Sequence, residues 1–269
     1  MVDLASVRNP AVTDARRLAR QRERDADRLL VEAPGPVTSA VAAGACVDLY
    51  ATPEAAHRHE RLLTDARSAG ARVRTVAPEA LEAMAATRTP QGVVAVARWP
   101  LAEPGEALSQ ATLAVVAVGC ADPGNVGTLV RTADAAGADA VVAVGGADPR
   151  GPKAVRASAG SLFHLPVADA TWDDAARAAA EADLALVATR ADAVTTHHQR
   201  DWTRPAAVVL GGEAHGLAAE ISAGCDEAVG VPIVGRAESL NVAVTGAVVL
   251  YEAVRQRAAS APGLAERRP

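Results

Sequence analysis

Val231-Pro232-Ile233-Val234-Gly235-Arg236-Ala237-Glu238-Ser239-Leu240-Asn241-Val242-Ala243-Val244-Thr245-Gly246 reads as three pieces in succession. A short apolar strand is expected over 231–234, a polar loop from Gly235 to Ser239, and a nearly uninterrupted apolar helix from Asn241 to Leu250. Polar residues return at Tyr251, Glu252, Arg255 and Gln256. A helix apolar on almost every face must be covered on more than one side. In a chain of 269 residues that means the middle of a core or a subunit interface. The loop before it carries a carboxylate, a hydroxyl and an amide. An open α/β sheet holds its ligand in such a place, outside the carboxyl ends of its strands.

Working outward, half of the chain is apolar, yet its aromatics are only Tyr50, Trp99, Phe163, Trp172, Trp202 and Tyr251. The core is therefore built from Ala, Val and Leu. Lys153 is the only lysine, so arginine abundance says little about function. Three scattered cysteines, Cys46, Cys120 and Cys225, point to a reducing compartment and no structural metal. With no signal-like run and no apolar span of membrane length, a cytoplasmic protein is expected, without membrane or metal. The net charge of −5 argues against a general nucleic-acid coating. Residues Arg8 to Arg28, however, hold seven arginines against four acids, and such a patch can grip phosphate. A solvated helical face is the plainer reading of the same residues.

Strands and helices alternate throughout, which predicts an α/β fold. Residues 1–97 form one small domain, with helices over Val12 to Asp25, Thr38 to Ala43, Ala55 to Ala69 and Pro78 to Ala86. Its strands are expected at Leu29 to Glu32, Val47 to Tyr50, Arg72 to Val76 and Val93 to Ala97. Residues 98–110, with Pro104-Gly105, read as a linker. A second domain over 111–259 starts with the apolar strand Ala111 to Gly119, as a buried parallel sheet requires. Its further strands are expected at Ala140 to Val144, Leu162 to Val167, Leu184 to Thr189 and Ala206 to Leu210. Residues 260–269 read as a frayed tail.

Three loops of the second domain carry the chemistry. In Asp122-Pro123-Gly124-Asn125-Val126-Gly127-Thr128-Leu129-Val130-Arg131, Asn125 is placed to cap a helix, and Thr128 and Arg131 share its face. A cation beside a helix N-terminus suits an anionic substrate, although a solvent-facing arginine fits equally. Gly211-Gly212-Glu213-Ala214-His215-Gly216 is a glycine-rich turn leaving a strand. It lacks both GxGxxG spacing and a Walker lysine, so neither a classical dinucleotide nor an NTP fold follows. Glu213 can accept a hydrogen bond from a sugar or guanidinium, or simply cap the next helix, and a lone His215 in such a turn is usually incidental. In Glu238-Ser239-Leu240-Asn241, Asn241 is a natural N-cap, and Ser239 has no nucleophile elbow around it. These residues alone describe a ligand-binding α/β protein, an enzyme by preference.

Taken together, Asn125-x-Gly127-x-x-x-Arg131, Gly211-x-Glu213-x-x-Gly216 and Ser239-Leu240-Asn241 resemble, in order and spacing, the three motifs of the SpoU (TrmH) family of RNA ribose 2′-O-methyltransferases. Lys153 to Gly160 extends the resemblance, which covers 111–257. Residues 1–97, with Thr89-Pro90-Gln91-Gly92, look like the family's L30e-like substrate-binding domain. Two departures stand out. Glu32 is followed by Ala33 where the family usually has Gly, and Ala243 stands where Ser is common.

The resemblance implies a C-terminal α/β trefoil-knot methyltransferase domain, an exception to the rule against threaded chains. It also implies a homodimer through that domain. S-adenosylmethionine would be held by Leu210, Gly211, Gly212, Glu213, Gly216, Ile233 and Leu240. Arg131 and Asn125 of one subunit would lie near a cofactor pocket, so the site can be composite. Arg131 is the family's proposed base. A guanidinium stays protonated at physiological pH, so clamping phosphate and stabilising an alkoxide are its firmer roles. Glu213, Ser239 and Asn241 would orient Arg131 or the substrate. Arg8, Arg16, Arg17, Arg20, Lys153 and Arg156 would contact RNA. The expected substrate is 23S ribosomal RNA; transfer RNA, or a non-catalytic role in ribosome assembly, are the alternatives.

Overall fold

The computed structural model describes residues 2–20, 27–99, 101–212 and 216–260. In α1 (Pro10–Arg20), Val12, Ala15, Leu18 and Ala19 recur at helical spacing and are buried. Arg16, Arg17 and Arg20 occupy the opposite, exposed face. There follow β1 (Arg28–Glu32), α2 (Pro34–Ala42), β2 (Cys46–Ala51), α3 (Pro53–Arg58), α4 (Glu60–Ser68), β3 (Arg72–Thr75), α5 (Pro78–Met84) and β4 (Val93–Arg98). The four strands lie in the order β1-β4-β2-β3, antiparallel except for the β2–β3 pair. Proline opens α2, α3 and α5, where its fixed φ and missing N–H suit a first turn. Pro34-Gly35-Pro36 thus begins a helix, four residues before the expected start at Thr38. The single helix expected over Ala55 to Ala69 is two, because His59 leaves helical geometry at φ −118° and ψ 38°.

The expected linker is partly a helix. In α6 (Pro104–Leu108) both Ala107 and Leu108 are buried against the second sheet. The chain continues through β5 (Leu113–Val118), α7 (Pro123–Ala135) and β6 (Ala140–Val144), and then reaches α8 (Pro152–Ser158) and a 3-10 turn over Ser161–Phe163. That last excursion leaves the second unit altogether. One compact unit comprises Met1–Pro100 with Arg150–His164, the other Leu101–Pro149 with Leu165–Pro269. Within the first unit, α8 packs on β1 and α1, and Gly160 sits against Pro36 and Ser39.

The second unit is completed by β7 (Val167–Ala170), α9 (Trp172–Glu181), β8 (Ala185–Thr189), β9 (Ala206–Gly211), α10 (Ala219–Ala223), β10 (Glu227–Val229) and α11 (Val242–Ser260). Its six strands are all parallel, in the order β10-β8-β9-β5-β6-β7. The strand expected at Leu162 to Val167 begins only at Val167, after the 3-10 turn. Residues 231–234 form a loop, since pairing stops with β10 and an isolated bridge at Gly230. One face of the sheet packs Ala114, Val116, Val142 and Val209 under α6 and α9. On the other face, Leu129 of α7 and Leu250 of α11 are fully buried. Each such leucine adds about 1.5–3 kcal/mol by burial. The polar connection before β9 hides the largest fully buried side chain, Trp202, whose Nε1 donates to the His197 carbonyl at 2.6 Å. Gln256 of α11 accepts from the Trp202 amide at 2.8 Å and donates to the Arg200 carbonyl at 2.9 Å, anchoring the helix's far end.

Candidate active site

In the second sheet the chain passes β5, β6 and β7 in one direction, then β8, with β9 inserted between β5 and β8. Beyond the carboxyl end of β9 the backbone is unusually crowded. A Cβ on Gly212 would lie 2.2 Å from the Gly119 carbonyl oxygen, and one on Gly211 only 2.3 Å from the Gly216 carbonyl carbon. Glycine is required at both positions by close approach of other backbone. The turn closes where the Gly216 amide donates to the Gly212 carbonyl at 3.0 Å.

These glycines form one wall of a pocket of about 190 Å³. Leu210, Gly211, Gly212, Gly216, Ile233 and Leu240, all expected to hold a cofactor, line it, and Ser239 joins them. Glu213 lies outside the described residues, as do Ala214 and His215. Thr189, Arg190 and Ala191 at the end of β8 also line the pocket, as do Val231, Val242 and Thr245. The sequence reading missed these. Thr189-Arg190 follows an apolar strand just as the other loops do, so applying the strand-end rule to β8 would have found it. Asp192 holds the Arg190 guanidinium at 2.9 and 2.7 Å and favours its charged form. Ser222 accepts from the same guanidinium at 3.1 Å.

Two helix starts meet beside this pocket. Asp122, rather than Asn125, caps α7, accepting from the Gly124 amide at 2.7 Å. Asn241 caps α11 as expected, its Oδ1 accepting from the amides of Ala243 at 2.9 Å and Val244 at 3.3 Å. The other end of the Asn241 amide donates to Asn125 Oδ1 at 3.1 Å. Being released from capping, the Asn125 side chain is available for this link. The helices can approach because position 246 is glycine: a Cβ there would lie 2.7 Å from Leu129 Cδ2 and 3.1 Å from Leu210 Cδ1. Asn125, Ser239 and Asn241 are thereby gathered at the pocket end of the unit. Arg131 is exposed further along α7 and is not among the residues lining the pocket.

The expected RNA contacts belong to the first unit. Arg8, Arg16, Arg17 and Arg20 are exposed on or before α1, and Arg17 bridges to Asp14 at 3.3 Å. Lys153 and Arg156 are exposed on α8. Sequence order placed these two in the methyltransferase domain; the fold places them on a helix that touches α1. Among the described residues, no His, Cys, Asp and Glu cluster could hold a metal, and no helix is long and apolar enough to cross a membrane.

A parallel α/β sheet with a glycine-walled pocket at its strand carboxyl ends defines the class: an α/β unit that binds a nucleotide-like ligand. Residues 112–251 match the SpoU rRNA Methylase family, and residues 35–100 match the RNA 2′-O ribose methyltransferase substrate-binding family. The chain belongs to the SpoU family. It is 38% identical over 220 residues to the 23S rRNA (guanosine-2′-O-)-methyltransferase RlmB of Bordetella pertussis, covering 76% of this chain and 87% of that one. It is 30% identical over 253 residues to RlmP, a 23S rRNA guanosine 2′-O-methyltransferase of Bacillus subtilis, covering 93% and 98%. The AdoMet-bound rRNA methyltransferase from Sinorhizobium meliloti superposes with a TM-score of 0.84 at 30% identity, covering 94% of this chain and 97% of that one. The resemblance drawn from the three loops therefore holds, with the knotted methyltransferase fold in the second unit and a substrate-binding subdomain in the first.

Proposed function

We propose that this chain uses S-adenosylmethionine to methylate a ribose 2′-hydroxyl of 23S ribosomal RNA, in the cytoplasm and as a homodimer. The observation that carries the reading is the pocket at β9, whose wall is bare backbone at Gly211 and Gly212. Its chemistry fits the cofactor. Leu210, Ile233, Leu240 and Val242 offer apolar surface for a purine ring, and Thr189, Ser239 and Thr245 offer hydroxyls for a sugar and an amino-acid moiety. The relatives above act on 23S rRNA, and their likeness extends over both units.

When bound, S-adenosylmethionine supplies a methyl carbon already activated by a positive sulfur, so the protein's task is alignment and control of one proton. Arg131 holds the phosphate next to the target ribose and stabilises the negative charge that grows on the 2′-oxygen. Asn125 and Asn241, linked at 3.1 Å, fix the polar edge against which the ribose is oriented. Ser239 hydrogen-bonds beside them, and Glu213 orients the guanidinium. The exposed arginines of α1 and the cations of α8 grip phosphates of structured RNA, where shape and backbone contacts dominate.

Arg131 needs a route to a pocket that it does not line in its own chain. Leu240, in the loop just before α11, and Val244 and Tyr251 on the helix itself are apolar residues exposed at 38%, 48% and 52%. A second copy covering these residues would account for the all-round apolar helix and bring its own Arg131 to this pocket. Sedimentation of the wild type and of Val244→Glu tests the dimer; a monomeric wild type with full activity would overturn it. Transfer of labelled methyl to separated, unmodified ribosomal and transfer RNA tests the reaction. Label at one large-subunit nucleotide is expected, and label confined to transfer RNA would overturn the substrate. RNA binding without any transfer would leave a binding factor.

A further inference from the structure

The first unit contains a second cavity, of about 530 Å³, that no step of methyl transfer uses. Its floor is Ala55 and Leu81, both buried. Pro34, Pro78 and Pro90 stand around it, each at the start of a helix or in the turn before β4. Arg58 and His59 lie at the break between α3 and α4, and Gln91 is exposed at the mouth.

Two features show that this cavity is built rather than left over. Gly92, at φ +80°, brings the 89–92 turn against α3; a Cβ there would lie 2.8 Å from Ala55 Cβ and 3.0 Å from Thr52 Oγ1. The Thr52 amide donates to the Gly92 carbonyl at 3.0 Å, locking that wall. Next to the lining residue Pro34, Ala33 is held at φ 76° and ψ 150°, a region that a residue with a Cβ adopts only under strain. Glu32 helps to hold it, accepting from the amides of Ala86 at 3.0 Å and Thr87 at 3.2 Å and from the Thr87 hydroxyl at 2.7 Å.

The lining also selects the ligand. Glu54 and Glu82 are among the lining residues, and two acids at the site disfavour a phosphate. Arg58 is paired with Glu54 at 2.5 Å, so two carboxylates outnumber the one guanidinium, whose planar face remains open to stacking. Apolar proline faces, a guanidinium plane, the His59 imidazole and an amide that both donates and accepts suit a planar, neutral, hydrogen-bonding group. We infer that this cavity receives one unstacked base of the RNA substrate and reads its edge through Gln91, so that the first unit selects the target by a nucleotide as well as by shape. The inference rests on the proposed RNA substrate and deepens it.

The test uses the full chain and unmodified 23S ribosomal RNA, comparing wild type with Gln91→Ala, whose side chain is exposed and not needed for folding. Base-edge chemical probing should show one unpaired base protected by the wild type. Gln91→Ala should lose that protection while backbone protections persist, and the KM for RNA should rise about tenfold with S-adenosylmethionine affinity unchanged. Identical base protection and KM in the two proteins would overturn the inference. Protection that depends on Gln91 without any methyl transfer would sustain the base pocket and refute the proposed reaction instead.

Discussion

The two units each hold a pocket, and they build its walls from different material. In the second unit one wall is backbone: Gly211 and Gly212 leave no room for even one carbon, and Gly246 lets α11 close on Leu129. In the first unit the wall is mostly side chains, namely three prolines, Arg58, His59 and Gln91, set on helix starts, the α3–α4 break and the turn before β4, with Gly92 and Ala33 as its constrained backbone positions. A backbone wall accepts a single ligand shape and punishes substitution. A side-chain wall can be retuned one residue at a time without disturbing the fold. The division suits a cofactor that never changes and an RNA target that differs among relatives.

The sharpest break in that comparison comes from a residue belonging to neither wall. Arg131→Ala should lower methyl transfer by about 10²–10³-fold, the scale for losing one stabiliser of developing charge. Calorimetric affinity for S-adenosylmethionine should stay near wild type; retained activity would remove Arg131 from the reaction. Next, Gly212→Ala should cost the second unit about 1–3 kcal/mol, because the Gly119 backbone must move. Cofactor affinity should fall with it, while RNA binding by the first unit is kept. An equal loss of RNA binding would mean that the two walls are not independent.

In the first unit the expected sign reverses. Ala33→Gly should raise stability by about 1 kcal/mol by relieving the positive φ, read as a higher melting temperature. No change would show that the strain is absorbed elsewhere. The smallest effect concerns pH. The Arg255 hydrogen bond, with one from Gln256, holds the Glu252 carboxyl down to about 2. Its folded value lies below the unfolded one of about 4.3, so this stabilisation is fully present above that pH and is lost as pH falls through about 2. Glu252→Gln should flatten the acid limb of the stability curve; an unchanged limb would assign it to other carboxylates.

Much of this was legible in the chain. Apolar runs such as Ala140–Val144 are strands because a strand buried on both faces needs no alternation. Asn241 reads as a cap and acts as one. Other positions misled for physical reasons. Asn125 and Asp122 are both good caps, and only the Gly124 amide, 2.7 Å from Asp122, decides between them. Pro104-Gly105 looks like a linker, yet Leu108 is fully buried, because two apolar residues in a short helix carry no readable period. Trp202 lies in a polar stretch, and its burial follows from partners on α11 more than fifty residues away.

By itself, then, the sequence determined the alternation of strands and helices, the three loops at strand ends and the family they resemble, because local propensity and short-range spacing carry that information. Tertiary structure alone decided which loop residues share a pocket and that α8 joins the first unit although it follows β6. It also decided that Ala33 is strained and that a second cavity exists in the first unit. Each of these depends on contacts between residues far apart in the chain, and such contacts leave no periodic trace.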